Sequence, residues 1–213
     1  MNIYTKKHQI NTLTYKNGFS LIEMIGVLAV IALLSAMLAP KILDTISGGR
    51  NVRLATEIAV YEVAIAKRYQ DIGTLNRVNA DCEVTDFDAY FSLNPYLLGN
   101  NISGCKNDKS PYLDKLTAQE VAVSTIIWSV HTISGQLTPS SNAFDLNGDG
   151  VSDTTDKRVV YIAYYTLEEE IFLAVDNIID RNVSDQIVAN NVGGKVKWTS
   201  SEGGLMKIYI AHK

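Results

Sequence analysis

From Phe19 to Ala39 the chain reads FSLIEMIGVLAVIALLSAMLA, a run of 21 residues in which Glu23 is the sole charge. As a helix this run would span about 31 Å, enough for the hydrocarbon core of a bilayer. It is apolar on every side, so either lipid or protein has to cover it all round. The residues before it hold Lys6, Lys7 and Lys16 and no acid, which favours a cytoplasmic N-terminus and an outward-facing body. Lys41, Arg50 and Arg53 on the far side weaken that bias. A secretory signal peptide would have an apolar core of about 7 to 15 residues and a small-residue cleavage site after it. Here the candidate cut site precedes the run.

Glu23 is the anomaly. On insertion scales a charged side chain at mid-bilayer costs about 2.5 to 3.5 kcal/mol, and less near the interface, so it calls for a partner. The simpler reading is a carboxylate snorkelling to the headgroups one turn from the helix end.

Gly18-Phe19-Ser20-Leu21-Ile22-Glu23 followed by a long apolar helix resembles the class III signal of type IV prepilins and type II secretion pseudopilins. The resemblance implies a membrane peptidase with aspartate catalysis that cuts between Gly18 and Phe19 and methylates the new terminal amine. It makes Glu23 the fifth mature residue, whose carboxylate neutralises the Phe19 cation of an adjoining subunit inside a filament core. Gly18 suits such a cut because it offers a protease no side chain to obstruct close backbone binding. Pro40 falls where major pilins commonly carry proline, and it should kink or locally open the helix. The partners implied are a homo- or hetero-polymer of pilin-like subunits, the prepilin peptidase, an inner-membrane assembly platform, and the membrane itself before assembly. The location implied is the inner membrane, single-pass, and afterwards a periplasmic or cell-surface filament.

Beyond Pro40, Ile58, Tyr61, Ile65, Tyr69 and Ile72 recur at helical spacing, and Val52, Ala55, Ala59, Val63 and Ala66 form a second stripe. Two apolar stripes let one helix pack on its own globular domain and on a neighbouring subunit. A continuous helix from Phe19 to Gln70 would be about 78 Å long. Gly48-Gly49 interrupts it at about 1 kcal/mol per glycine against alanine, which predicts a bend or a melted turn. Gly73 reads as the stop. The expected organisation is a leader over 1–18, a long helix over 19–72, and a globular domain over 73–213.

Residues 74–116 read as a loop-rich connector, with Pro95, Pro111 and the two cysteines, Cys82 and Cys105, in polar surroundings. If the anchor delivers the body to an oxidising compartment, the cysteines pair and close a loop worth about 3 to 4 kcal/mol. The other reading is two free buried thiols. No CxxC or Cys/His cluster points to zinc.

The globular part reads as helix first and antiparallel strands later, hence α+β, with the long N-terminal helix packed on a C-terminal antiparallel sheet. Thr117-Ala118-Gln119-Glu120 has a capping-box pattern for a helix running to about His131, while Thr125-Ile126-Ile127 and Val130 argue equally for a strand. Arg158–Thr166 and Ile171–Val175 suggest one hairpin. Lys195–Thr199 and Leu205–Ile210, flanking Ser200-Ser201-Glu202-Gly203-Gly204, suggest another.

Between them lies DLNGDGVSDTTD, residues 145 to 156. Asp145, Asn147, Asp149, Asp153 and Asp156 place oxygen side chains at loop positions 1, 3, 5, 9 and 12, with Gly150 at position 6 and the Val151 carbonyl at 7, a spacing that suits calcium. The pattern resembles dockerin and EF-hand calcium loops. It departs from them in having Asp156 for the usual bidentate glutamate and in lacking paired flanking helices. The alternative is an Asp/Asn/Gly turn without an ion.

Of 19 basic and 23 acidic residues, loss of the leader leaves 16 against 23, a net charge of −7 before the new amine. So acidic a body has no electrostatic footprint for nucleic acid. His8, His131 and His212 are scattered, and no phosphate-cradling glycine loop or nucleophile elbow is present, so no enzyme reading stands. The sequence therefore predicts a structural filament subunit, the alternative being a signal-anchored calcium-binding surface protein that does not polymerise.

Overall fold

The computed structural model describes residues 18–86, 90–116, 124–180 and 192–213, excepting the side chain of Glu202. The chain divides into two compact units, residues 1–46 and 47–213. Helix α1 (Leu21–Ile72) begins in the first and ends in the second.

In the first unit the helix is bare. Phe19 is 82% exposed, and Leu21, Ile22, Leu28, Leu33, Met37 and Leu43 are all open. None of its most apolar stretch is buried, and by length and composition that stretch can cross a membrane. Pro40 lies inside the helix, where its missing N–H leaves the carbonyl of Ala36 without an i+4 donor.

In the second unit the same helix turns one face inward. Leu54, Ile58, Tyr61, Ala64, Ile65 and Arg68 are buried, a three-and-four spacing that puts all six on one side. The second stripe stays outside, with Val52 58% and Val63 63% exposed. Gly48 and Gly49 carry helical backbone, so the melted turn expected there does not occur. Gly73, at φ 80°, ends the helix by donating its N–H 2.7 Å to the Tyr69 carbonyl, as the stop signal predicts.

The segment after α1 holds more structure than a connector. Strands β1 (Arg77–Val78) and β2 (Val84–Asp86) pair antiparallel, and β3 (Tyr90–Ser92) leads into the short helix α2 (Asn94–Leu98). Arg68, buried on α1, donates to the carbonyls of Thr74 and Asn76 at 3.3 and 3.1 Å, tying the returning chain to the helix end. Asp71 accepts from Lys109 Nζ at 3.0 Å and Tyr112 OH at 3.1 Å. Cys82 and Cys105 form a disulfide.

A five-stranded antiparallel sheet follows, in the order β3, β4 (Ser124–Thr132), β5 (Lys157–Tyr165), β7 (Leu205–His212), β6 (Val196–Thr199). Residues 124–132 are thus strand, in line with their β-branched run, and the capping pattern at 117–120 lies outside the described residues. β5 is covered on both faces. Val160, Ile162 and Tyr164 pack with α1, while Val159, Tyr161 and Ala163 pack with Phe144, the period of two that a strand requires.

One expected hairpin is corrected. After β5 comes helix α3 (Glu169–Ile179) in place of a return strand. Glu169 and Glu170 in its first turn favour the positive end of the helix dipole. Phe172 and Val175, three apart, bury against the sheet. The other hairpin, β6 with β7, forms as the sequence predicts, joined through a 3-10 turn at Ser201–Gly203.

Lys197 of β6 and Lys207 of β7 are cross-strand partners, and both are buried. Lys197 Nζ donates to the Ser141 carbonyl at 3.1 Å, to Ser141 Oγ at 2.9 Å and to the Ala143 carbonyl at 2.8 Å. Lys207 Nζ donates to the carbonyls of Ser140 and Ser141 at 2.5 and 3.2 Å and to Asn142 Oδ1 at 3.0 Å. Two ammonium groups therefore clamp the segment that leads into the Asp145 loop.

Candidate functional site

The N-terminal segment holds the residues for which the sequence predicts processing and assembly roles, Gly18, Phe19, Glu23 and Pro40. Gly18, Phe19 and Ser20 lie outside the helix, which starts at Leu21. Ser20 Oγ accepts the Glu23 N–H at 3.3 Å, and Glu23 Oε2 accepts the Ser20 N–H at 2.8 Å. The Ser20 carbonyl takes the Met24 N–H at 3.2 Å. This is a reciprocal capping box, with Ser20 at the cap and Glu23 three residues on. The carboxylate that looked unpartnered in sequence thus has a donor within its own chain. The signal is legible as S-x-x-E before an apolar run, and Ser20 is the capping residue that the spacing alone leaves unremarked.

Gly18 has no internal justification. A Cβ there would meet nothing within 4 Å, and its φ lies outside the left-handed range. Any requirement for glycine at this position comes from a partner that grips the backbone. Pro40, the other residue singled out for assembly, sits in the exposed first unit of α1.

The loop from Asp145 to Asp156 is the second candidate. Asp145 is fully buried, and its backbone bridges to Gly193, with the Gly194 N–H donating 2.7 Å to the Asp145 carbonyl. Its Oδ1 accepts from the N–H groups of Gly148 (2.8 Å) and Asp149 (3.1 Å), and its Oδ2 from that of Gly150 (2.8 Å). The loop is thereby wound round one carboxylate. Gly148 and Gly150, at φ 75° and 86°, supply a left-handed backbone that costs glycine little.

Asn147 and Asp149 are tied to each other, Asn147 Nδ2 donating 3.0 Å to Asp149 Oδ2. Asp149 Oδ1 accepts the Val151 N–H at 2.8 Å, and Asp153 Oδ2 accepts the Leu146 N–H at 2.7 Å. Asp156 stands apart, its side chain 85% exposed and 3.6 Å from His131 Nε2. Among the described residues no three carboxylate, imidazole or thiolate groups are gathered as a metal cluster. The loop's oxygens are those of Asp145, Asn147, Asp149 and Asp153, each presently engaged with N–H donors of the loop itself.

Beside the loop, burial and the Lys157 charge hold the His212 imidazole below its usual range. Its Nδ1 lies 2.5 Å from Tyr209 OH, and burial pushes that phenol up to about 12. A neutral imidazole beside a phenol that stays protonated at neutral pH describes a satisfied structural contact.

No curated protein and no solved structure matches the chain. Residues 13–39 match the family model of the prokaryotic N-terminal methylation motif, and with it the chain carries the class III signal of type IV pilins and pseudopilins.

Proposed function

We propose that the protein is a structural subunit of a type IV pilus or a type II secretion pseudopilus. Prepilin peptidase cuts between Gly18 and Phe19 and methylates Phe19. Residues 19 to 39 hold the mature chain in the inner membrane until an assembly platform draws it into a filament of pilin-like subunits, periplasmic or at the cell surface. The domain plan follows: leader 1–18, helix 19–72 and globular body 73–213.

The observation that carries this reading is the bare apolar helical stretch inside the matched motif, with Glu23 as its sole charge. Lipid covers such a surface in the monomer, and helices of neighbouring subunits cover it in a filament. The uncovered stripe of Val52, Ala59, Val63 and Ala66 offers a second strip for the same packing. A charge at Phe19 and a charge at Glu23 are each costly in a dry filament core, and each offsets the other there.

Calcium is proposed for the loop at residues 145–156 on donor chemistry, with Asp145, Asn147, Asp149 and Asp153 giving side-chain oxygens and Val151 a carbonyl. Asp156, paired with His131, is left out of that set. The ion would compete with the N–H groups these oxygens now accept.

Mass spectrometry of the native N-terminus tests the main reading. A methylated Phe19 terminus is the expected result. An intact Met1 terminus on a monomeric protein would favour the signal-anchored surface protein.

A further inference from the structure

The bond that the proposed processing would cut lies two residues ahead of α1, and the capping box decides where that helix begins. A nucleated helix extends at little cost. In an apolar medium each uncovered N–H is expensive, which presses a membrane helix to recruit the residues before it. At this terminus the Ser20 hydroxyl covers the Glu23 N–H and the Glu23 carboxylate covers the Ser20 N–H, so two of the four N–H groups at the helix start are satisfied without Phe19 or Gly18 and the pressure is halved. Both remain outside the helix.

We propose that Ser20 and Glu23 are positioning residues for proteolytic processing: their reciprocal box stops α1 at Leu21 and keeps the Gly18–Phe19 peptide free of helical hydrogen bonds for the peptidase. The inference rests on the processing reading and adds the residues that control it. A protease takes its substrate as open backbone, with the N–H and C=O groups beside the scissile bond available for its own contacts. Water adds across the bond, leaving a carboxylate on Gly18 and an ammonium on Phe19, so no further reactant is consumed. The new ammonium forms one residue from the N–H that the Glu23 carboxylate already holds. Glu23 therefore has a cation beside it in its own chain from the moment of cleavage, before a neighbouring subunit arrives.

The box divides into two parts that mutation separates. Ser20→Ala removes the hydroxyl but leaves the Ser20 N–H to the carboxylate. Glu23→Ala removes the carboxylate but leaves the Glu23 N–H to the hydroxyl. Each single variant retains half, and Ser20→Ala/Glu23→Ala retains none. Ser20→Thr restores a capping hydroxyl, and Glu23→Gln keeps an acceptor oxygen without charge.

The test follows cleavage of the full-length chain in membrane vesicles that contain prepilin peptidase, with the N-terminus read by mass spectrometry over time. Ser20→Ala should lower kcat/KM by about fivefold, the typical weight of an N-cap hydroxyl in a helix-start equilibrium. The double variant should fall further. The loss should appear in KM with kcat unchanged, because only the fraction of substrate in the open form is altered. Ser20→Thr should recover the wild-type rate, and Glu23→Gln should be cut faster than Glu23→Ala. Cleavage of the double variant at the wild-type rate, or a Ser20→Ala defect that Ser20→Thr does not repair, overturns the inference and leaves the processing reading intact. A wild-type chain that keeps Met1 removes both.

Discussion

Lys197 Nζ lies 2.8 Å from the carbonyl oxygen of Ala143, with its strand neighbour Lys207 clamped to the same segment. Burial, with the Lys207 charge added, pushes the Lys197 ammonium down to about 7, against 10.5 when free. Between these values the unfolded chain binds more protons than the folded one, so stability rises with pH. The penalty is complete below about pH 7 and gone near pH 10.5. Tyr112 and Tyr209 act the other way above pH 10, since burial holds both hydroxyls up at about 12 while the unfolded chain ionises first. Urea unfolding at pH 7.5 and 9.5 should therefore give the higher midpoint at 9.5. Lys197→Met should abolish that difference and lower stability by about 1 to 3 kcal/mol, because it strands the buried Ala143 carbonyl, while the Ser141 carbonyl keeps Lys207.

The disulfide between Cys82 and Cys105, 23 positions apart, closes a loop whose two flanks are fastened to the end of α1, Thr74 and Asn76 by Arg68 and Lys109 and Tyr112 by Asp71. Replacing both cysteines by serine should cost about 3 to 4 kcal/mol through the greater freedom of the unfolded chain. For a chain of this size that is a fall of about 10 °C in Tm. Calorimetry of the paired variant against the oxidised protein checks it, and equal midpoints would mean that the side-chain contacts alone hold the loop.

What the sequence disclosed and what it concealed have physical reasons. The apolar run, the buried stripe at Ile58, Tyr61 and Ile65, and the β6–β7 hairpin each rest on a local period or a turn, and each is legible. Ile171 to Val175 forms helix where the sequence predicts a strand, because a five-residue apolar run fits both alike; the acids Glu169 and Glu170 before it favour the helix. The lysine pair was concealed for another reason. Lysines are almost never fully buried, and only the register that sets Lys197 beside Lys207 brings both ammonium groups onto the carbonyls of residues 140–143. In the candidate calcium loop, spacing gave the oxygens, but the pairing of Asp156 with His131 is a tertiary contact that spacing cannot express.

For that loop, calcium should raise the Tm of the detergent-solubilised chain, and chelation should reverse the rise. Asp149→Ala should abolish the response while costing little stability without the ion, because the buried Asp145 carboxylate still holds the three N–H groups of the turn. Asp156→Ala should leave the response in place. Identical melting curves with calcium and with chelator would remove the ion and leave a self-capped turn.

Glu23 is the residue at which helix capping and charge neutralisation meet, and its substitutions should separate membrane residence from assembly. Glu23→Ala still yields the Phe19 terminus, since the Ser20 hydroxyl continues to cap the helix through the backbone N–H of residue 23, though more slowly than the wild type. Incorporation into filaments should nonetheless fail, because the Phe19 ammonium of each incoming subunit then enters an apolar core with no carboxylate to meet it, and an unpaired charge there costs several kcal/mol. Glu23→Gln should fail at the same step despite its intact acceptor oxygen, which assigns the defect to charge. Fractionation of cells expressing each variant should find processed subunit in the membrane and none in sheared filaments. Filaments of normal yield from Glu23→Gln would show that capping, without the charge, is sufficient for assembly.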